Sequence, residues 1–226
     1  MAGVAEKLGV VRERMAAACR TAGRSADEVR LLAVSKTFPT PPILEAFEAG
    51  QVEFGESRQQ EAVEKIGQLP DEIRWHFIGK LQRNKVRKVI ADFGCIHGID
   101  SLKLAGHVDR IAGEEGVCPD VFLEVNLAGE ENKGGFRVDE LRGCISALGE
   151  LSHITILGLM VIPPAVGEAE QARPWFMKAR ELRNELRQEC GLELPELSMG
   201  MSSDFEVAIE EGSTIVRVGS AIFGGR

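Results

Sequence analysis

Short apolar segments alternate with helical segments along most of the chain. Eight of the apolar segments have the length of buried strands. These segments span residues 30–35, 52–54, 75–78, 95–99, 121–127, 155–161, 197–199 and 215–218. Between them, apolar residues recur every three or four positions, as in Val138, Leu141, Ile145 and Leu148, and in Trp175, Ala179, Leu182 and Leu186. A doubly wound open sheet gives a similar local pattern, but eight alternations in about 200 residues favour an α/β fold of the closed (β/α)8 TIM barrel type.

An additional helix is predicted before the first strand. Its apolar positions are Val4, Leu8, Val11, Met15 and Cys19, and it ends near Gly23. This spacing is typical of an amphipathic helix. No low-complexity segment or Ser/Gly-rich linker divides the chain. We therefore expect a single domain over residues 1–226, with the additional helix in residues 1–23.

Capping residues predict where two of the barrel helices begin. Thr40 stands before Pro41, as an N-cap stands before a first turn. Ser203 is followed three residues later by Glu206, which is the pattern of a capping box, and Gly212 closes that segment. We expect helices to start at both places.

Composition and charge exclude several classes of partner. The chain of 226 residues has 27 Lys and Arg against 35 Asp and Glu, a formal charge of −8. A surface that binds nucleic acid or anionic membranes is therefore not expected. No segment reaches the roughly 18 apolar residues of a membrane span, and the N-terminus lacks a signal-peptide hydrophobic region, so a cytoplasmic protein is expected. The five cysteines, and His97, His107 and His153, show no metal-ligand spacing in the sequence.

Polar side chains share one face of several predicted strands. The residues in that phase are Leu32, Val34 and Lys36; His76 and Ile78; Phe122, Glu124 and Asn126; and Ile215, Arg217 and Gly219. The opposite phase is mainly apolar and would pack against the helices. Burying unpaired charge costs several kcal/mol, so the polar phase predicts a site at the carboxyl ends of the strands rather than a structural core.

Lys36 is the candidate nucleophile of this site. It follows the last residue of an apolar segment, where a lysine alone is most simply an exposed loop residue. Its inward phase favours a different interpretation. Partial desolvation increases the neutral fraction of an amine, and the neutral amine is the form that condenses with an aldehyde.

Two loops could hold a phosphate beside that amine. Residues 218–225 combine three glycines with a serine after the eighth strand, and residues 200–203 place two serines after the seventh. Loops after these two strands are recurrent phosphate sites in barrels. Arg217 and His76, each taken alone, are more simply an ion-pair member and a core histidine. The basic residues Lys80, Arg83, Lys85, Arg87 and Lys88 are most simply the solvated face of a helix.

These segments resemble the pyridoxal phosphate homeostasis protein family over residues 31–224. The motifs are AVSKT at 33–37, FGES at 54–57, HFIGKLQRNK at 76–85, EENKG at 130–134, GLM at 158–160, LSMGMSSD at 197–204 and GSTIVRVGSAIFG at 212–224. The resemblance implies a barrel similar to the N-terminal domain of alanine racemases. It also implies pyridoxal 5'-phosphate (PLP) as the cofactor.

The resemblance assigns roles to particular residues. Lys36 would carry PLP as a Schiff base, Arg217 would face the pyridine nitrogen, and His76 would lie near the ring. The residues that would hold the phosphate are Ser202, Gly219 and Ser220. Ser57 departs from the family, which commonly has asparagine there and uses it as a ring contact.

These assignments favour a carrier over a catalyst. An arginine at the pyridine nitrogen disfavours ring protonation and weakens the ring as an electron sink. The resembling racemases use a tyrosine from a second domain as a base, and this chain has no tyrosine. We expect a monomeric protein of intracellular PLP homeostasis without strong catalytic activity, with PLP-accepting apo-enzymes as partners. The alternatives are a PLP-dependent amino-acid racemase or lyase, with His76 as the second base, and a Schiff-base aldolase acting on a sugar phosphate.

Overall fold

The computed structural model describes residues 3–225 and contains a closed barrel of eight parallel strands. The strands are β1 (Arg30–Val34), β2 (Glu53–Glu56), β3 (Arg74–Phe77), β4 (Cys95–Ile99), β5 (Asp120–Val125), β6 (Thr155–Val161), β7 (Glu196–Met201) and β8 (Ile215–Val218). Each strand pairs with the next, and β8 pairs with β1 in a register that sets Leu32 opposite Arg217. The predicted (β/α)8 barrel is confirmed.

Helices cover the outside of the barrel. They are α1 (Val4–Thr21), α2 (Thr40–Glu48), α3 (Gln59–Ile66), α4 (Val86–Asp92), α5 (Leu102–Glu115), α6 (Val138–Gly149), α7 (Arg173–Cys190), α8 (Phe205–Glu210) and α9 (Ser220–Phe223). Short 3-10 helices cover Ala26–Glu28, Arg83–Lys85 and Ala169–Ala172. Across residues 3–225, no helix has the length and apolar character needed to cross a membrane.

The additional N-terminal helix is confirmed as α1. Its buried side chains are Leu8, Val11, Met15, Ala18 and Cys19, and it packs against α2, α8 and α9. It ends at Thr21, two residues before Gly23. The prediction of a helix in residues 1–23 and a domain over 1–226 includes positions 1, 2 and 226, which lie outside the described residues.

Two groups of apolar side chains form the core. The smaller group fills the barrel interior and consists of Leu32, Cys95, Phe122, Met160 and Ile215. The larger group lies between the strands and the helices and includes Ala33, Val121 and Val218. The alternation of inward and outward residues along β1, β5 and β8 is therefore as the strand phase predicts.

Both predicted helix starts are wrong by one residue. Thr40 is the first residue of α2, and Pro39 occupies the N-cap position. The capping box of Ser203 and Glu206 does not form, because Asp204 is the N-cap of α8. Asp204 Oδ1 accepts a hydrogen bond from the Met201 backbone N–H at 2.7 Å. This bond closes the turn after β7 and places Ser203 outside the helix.

Other helix details also differ from the pattern. In α7, Phe176 is buried and Trp175 is half-buried, so the core-facing position is one residue later than predicted. The basic segment divides into the 3-10 helix Arg83–Lys85 and the short helix α4. Its buried side chains are Leu81, Val86, Val89 and Ile90, as the amphipathic pattern predicts.

Candidate functional site

A cavity of about 630 Å³ opens at the carboxyl ends of the strands. The side chains of its wall are Val34, Phe38, Ile78, Met160, Ile162 and Met201 on the apolar side, and Lys36, His97, Ser202, Ser203, Arg217 and Ser220 on the polar side. Gly219 and Gly224 complete the lining. A mostly apolar cavity with a few converging polar groups is the usual form of a small-molecule site.

Lys36 lies in the loop after β1, between two residues whose positions are fixed by hydrogen bonds. It is half-buried, whereas Ser35 is fully buried. The Ser35 hydroxyl donates to Glu56 Oε1 at 2.6 Å. The Thr37 backbone N–H donates to Glu61 Oε1 at 2.5 Å. These bonds hold the backbone on both sides of Lys36.

The loop between β8 and α9 presents backbone N–H groups beside the Ser202 hydroxyl. Ser202 Oγ accepts from Gly219 N at 3.2 Å and from Ala221 N at 3.4 Å. A Cβ atom on Gly219 would lie 3.1 Å from the Val34 carbonyl oxygen, so glycine lets this loop approach β1 closely. Hydroxyls and backbone N–H groups that converge in this way suit an anion such as a phosphate.

Arg217 is buried on β8 and anchored at the floor of the cavity. Its Nη1 donates to the Ser198 carbonyl oxygen at 2.6 Å and to Ser198 Oγ at 2.7 Å, and its Nη2 donates to the Val161 carbonyl at 3.0 Å. Burial lowers the pKa of Arg217 to about 10, and the carboxylates of Asp204 and Glu124 oppose this shift. The guanidinium therefore stays charged at neutral pH.

A line of hydrogen bonds continues from Ser198 into the barrel. His97 Nδ1 lies 2.9 Å from Ser198 Oγ, and His97 Nε2 lies 3.0 Å from His76 Nδ1. Burial lowers the pKa of His97 well below its usual range and that of His76 to about 3, so both rings are neutral. Arg217 can only donate to Ser198 Oγ, so we assign the Ser198 hydroxyl as the donor to His97 Nδ1. The His97 ring then carries its proton on Nε2 and donates it to His76 Nδ1.

Cys95 joins the two histidines in a buried cluster inside the barrel. The possible ligand atoms of His76, Cys95 and His97 all lie within 4.8 Å of one another. The sequence did not reveal this grouping because His76 comes from the neighbouring strand, opposite Cys95 in register. The facing histidine nitrogens are already hydrogen-bonded, and nearby Arg217 and Arg30 add to the lowering of the pKa of His97. The same positive field opposes a cation, so we interpret the cluster as interior packing.

Five of the seven predicted site residues line the cavity. They are Lys36, Ser202, Arg217, Gly219 and Ser220. His76 is not in the lining, because His97 lies between its ring and the cavity. Ser57 lies outside as well, in a separate depression with Arg58 and Lys80. The structure therefore does not bring His76 or Ser57 to the cavity wall.

His97 and Ser198 are the site residues that the sequence analysis missed. His97 has the same strand phase as Cys95, which lies in the barrel interior, so the inward-facing pattern of β4 could have indicated it. Ser198 contacts both Arg217 and His97, and this link between β7, β8 and β4 depends on barrel closure. No local pattern in the sequence indicates it.

Two further residues of the predicted inward phase, Glu124 and Asn126, lie outside the cavity lining. Burial and the neighbouring Asp100 carboxylate raise the pKa of Glu124, whereas Arg217 and Lys80 lower it. Asn126 exchanges hydrogen bonds with the backbone of Glu130, at 2.8 Å and 3.1 Å, and so shapes the loop after β5.

Known proteins resemble this chain over nearly its whole length. Residues 10–226 match the family described as alanine racemase, N-terminal domain. The pyridoxal phosphate homeostasis protein of Aquifex aeolicus is 46% identical over 222 residues, which cover 98% of this chain and 97% of that protein. The pyridoxal phosphate homeostasis protein of Escherichia coli K12 is 40% identical, and the match covers 100% of this chain and 98% of that protein.

Solved structures extend the comparison. PipY of Synechococcus elongatus, solved with PLP bound, has a TM-score of 0.87 and 42% identity, covering 98% of this chain and all of PipY. Alanine racemase of Clostridium difficile has a TM-score of 0.75 at 14% identity over 97% of this chain and 57% of the racemase, a likeness of fold alone. These matches confirm the family that the motifs predict: the chain belongs to the pyridoxal phosphate homeostasis proteins.

Proposed function

We propose that this protein binds PLP as a Schiff base on Lys36 and acts in intracellular PLP homeostasis. The observation that carries the proposal is one cavity that holds both a lysine amine and a set of anion donors. PLP brings an aldehyde that condenses reversibly with amines, together with a phosphate. The relatives named above support PLP homeostasis as the role, and the PLP-bound PipY supports PLP as the ligand.

Each part of the cofactor has a fitting partner in the cavity. Lys36 supplies the amine, and the Ser202 and Ser220 hydroxyls supply donors for the phosphate. Gly219 lets the β8–α9 loop lie close to Val34 of β1, at the edge of the cavity. Arg217 presents a fixed guanidinium that can donate to an unprotonated pyridine nitrogen. The apolar side chains of the wall would pack against the ring.

The proposed role is that of a carrier rather than a strong catalyst. An arginine at the pyridine nitrogen favours the unprotonated ring, which withdraws electrons weakly. The chain has no tyrosine that could serve as a second base. His76 is a poor substitute, because its pKa of about 3 makes it a weak base and His97 stands between it and the cavity. These features weigh against the racemase or lyase alternative.

The proposal includes a cytoplasmic, monomeric protein whose single domain spans residues 1–226 and which passes PLP to apo-enzymes. A cavity open at one end of the barrel would allow the cofactor to leave without unfolding of the strands. The reversibility of Schiff-base formation supplies the release step, since water hydrolyses the bond and regenerates the Lys36 amine.

The test separates a carrier from an enzyme. Purified protein is loaded with PLP, freed of excess cofactor, and incubated with an apo-enzyme whose activity reports transfer. The same loaded protein is incubated with a panel of amino acids, and products are measured by chiral chromatography. Transfer without amino-acid turnover is expected. Turnover that disappears in Lys36→Ala but persists in Lys103→Ala, an exposed control, would instead establish the racemase or lyase.

A further inference from the structure

Lys65 on α3 lies beneath the loop that carries Lys36. Its side chain is 7% exposed. Its Nζ donates to the Ser35 carbonyl oxygen at 3.1 Å, to Glu56 Oε1 at 2.7 Å and to Glu61 Oε1 at 2.7 Å. An ammonium group has three protons, and these three acceptors use all of them. Lys65 is therefore a fixed, charged centre rather than a mobile surface lysine.

Each acceptor of Lys65 leads to a residue beside Lys36. The Ser35 carbonyl oxygen accepts directly from Lys65 Nζ, and the Ser35 hydroxyl donates to the same Glu56 oxygen that Lys65 contacts. On the other side, the Glu61 oxygen that Lys65 contacts also accepts the Thr37 backbone N–H. One ammonium group thus connects to the backbone before and after Lys36.

Thr37 shows that this part of the loop is constrained. Its φ angle is +72°, in the left-handed region that β-branched residues rarely adopt. Such a conformation persists only where the surroundings impose it. The bond from the Thr37 N–H to Glu61 is such a constraint, and Lys65 holds the Glu61 carboxylate in place.

The charges make the network depend on Lys65. Glu56 is fully buried, and its second oxygen has no hydrogen-bond partner among the described residues. Burial raises the pKa of Glu56, whereas hydrogen bonds from Lys65 and Ser35 lower it. Without the ammonium, the buried Glu56 carboxylate and the half-buried Glu61 carboxylate would be neighbours that share no cation. The hydrogen bonds that they accept from Ser35 and Thr37 would weaken.

We propose that Lys65 is a positioning residue for Lys36, which sets how readily that lysine forms its Schiff base. The inference rests on the proposed function. In the bond-forming step, the neutral Lys36 amine adds to the aldehyde carbon, the aldehyde oxygen leaves as water with both amine protons, and a C=N bond forms. Lys65 gives and takes no atoms in this step. Its effect is to hold the backbone from which the Lys36 side chain extends.

The test compares two ligands that differ only in the aldehyde. PLP can form the Schiff base, whereas 4'-deoxypyridoxine 5'-phosphate keeps the ring and phosphate but has a methyl group in place of the aldehyde. Lys65→Met removes the charge and keeps an apolar stem of similar length. We expect it to weaken PLP binding and slow the imine absorbance change by about tenfold or more, with the deoxy analogue affected by less than about threefold. Lys65→Arg, which keeps a charged donor, should recover part of the loss.

Controls separate positioning from general destabilisation. Lys85→Met changes a half-buried lysine outside the network and should leave both ligands unaffected. Glu61→Gln tests the branch to Thr37 if Lys65→Met fails to fold, and should also reduce PLP binding selectively. Equal weakening of both ligands, or no change in either, would overturn the inference. If the wild-type protein forms no imine at all, the proposed function fails instead.

Discussion

Arg217 donates two hydrogen bonds from one nitrogen to Ser198, to the carbonyl oxygen at 2.6 Å and to the hydroxyl at 2.7 Å. This pairing ties β8 to β7 at the floor of the cavity, and the third bond, to the Val161 carbonyl, ties it to β6. The guanidinium is therefore a structural anchor of the barrel as well as a donor that faces the cavity. Any substitution at Arg217 should affect both properties.

Replacing Arg217 with methionine should destabilise the apo-protein. The Val161 and Ser198 carbonyls would lose their buried donors, and each unsatisfied group costs about 1–3 kcal/mol. We expect a loss of about 2–4 kcal/mol in the free energy of unfolding, measured by urea denaturation without cofactor. An exposed arginine provides the control, and Arg20→Met should change the unfolding free energy by less than about 0.5 kcal/mol. An apo-protein as stable as the wild type would contradict the anchoring role.

Ser202→Ala should weaken PLP binding by removing only the contribution of the phosphate group. The hydroxyl organises two N–H groups of the β8–α9 loop and faces the cavity. Its removal should reduce PLP affinity by about tenfold, or about 1.4 kcal/mol, and leave the affinity for pyridoxal, which lacks the phosphate, nearly unchanged. Equilibrium dialysis with both ligands measures the difference. Ser152→Ala, at an exposed serine, is the control. A similar loss for pyridoxal would place Ser202 elsewhere in the site.

Gly219→Ala should displace the same loop by steric contact, without removing a hydrogen-bond donor. The new Cβ atom would lie 3.1 Å from the Val34 carbonyl oxygen and 3.3 Å from the Val34 Cβ, so the loop must move away from β1. We expect weaker PLP binding with a change in unfolding free energy of about 1 kcal/mol or less. A PLP titration and a urea denaturation measure the two effects. Unchanged PLP affinity would show that the close approach is not used by the ligand.

Acidification should destabilise the barrel through its buried histidines. The pKa of His76 is about 3 in the folded state against 6.5 for the free side chain, so the unfolded state binds more protons between these values. The contribution of His76 to the free energy of unfolding is fully present above about pH 6.5. It falls as the pH decreases towards 3, by about 1.4 kcal/mol per pH unit at most. His97 should add a loss of the same sign, since burial also lowers its pKa.

Urea denaturation between pH 7 and pH 4 measures this dependence. His76→Asn should reduce the slope of unfolding free energy against pH, because the titrating group is gone. His153→Asn makes the same substitution at an exposed histidine and is the matched control. A slope that is identical in wild type and His76→Asn would contradict the assignment of a buried neutral imidazole.

The sequence predicted the barrel and the inward phase of its polar residues well. Lys36 and Arg217 lie on the predicted face because strand alternation is a local property that survives folding. The prediction of Ser203 as the capping residue was wrong, because Asp204, one position later, makes the competing hydrogen bond. Local rules cannot rank two adjacent cap candidates when a tertiary turn chooses between them.

Contacts across the barrel wall could not be predicted. Glu56 faces outward from β2, and Lys65 meets it only because α3 packs back on that strand. In the sequence both are ordinary charged residues of a strand end and an amphipathic helix. His76 has the inward phase expected of it, but strand phase does not give depth along the barrel axis, and His97 occupies the layer nearer the cavity.

Borohydride reduction of the PLP-loaded protein, followed by peptide mass analysis, shows which lysine forms the Schiff base with PLP. Reduction converts the C=N bond into a stable secondary amine and so marks the lysine that carries the cofactor. We expect the pyridoxyl mass on the peptide containing Lys36, with one cofactor for each chain. A principal adduct on any other lysine, or no adduct on a protein that binds PLP, would contradict it.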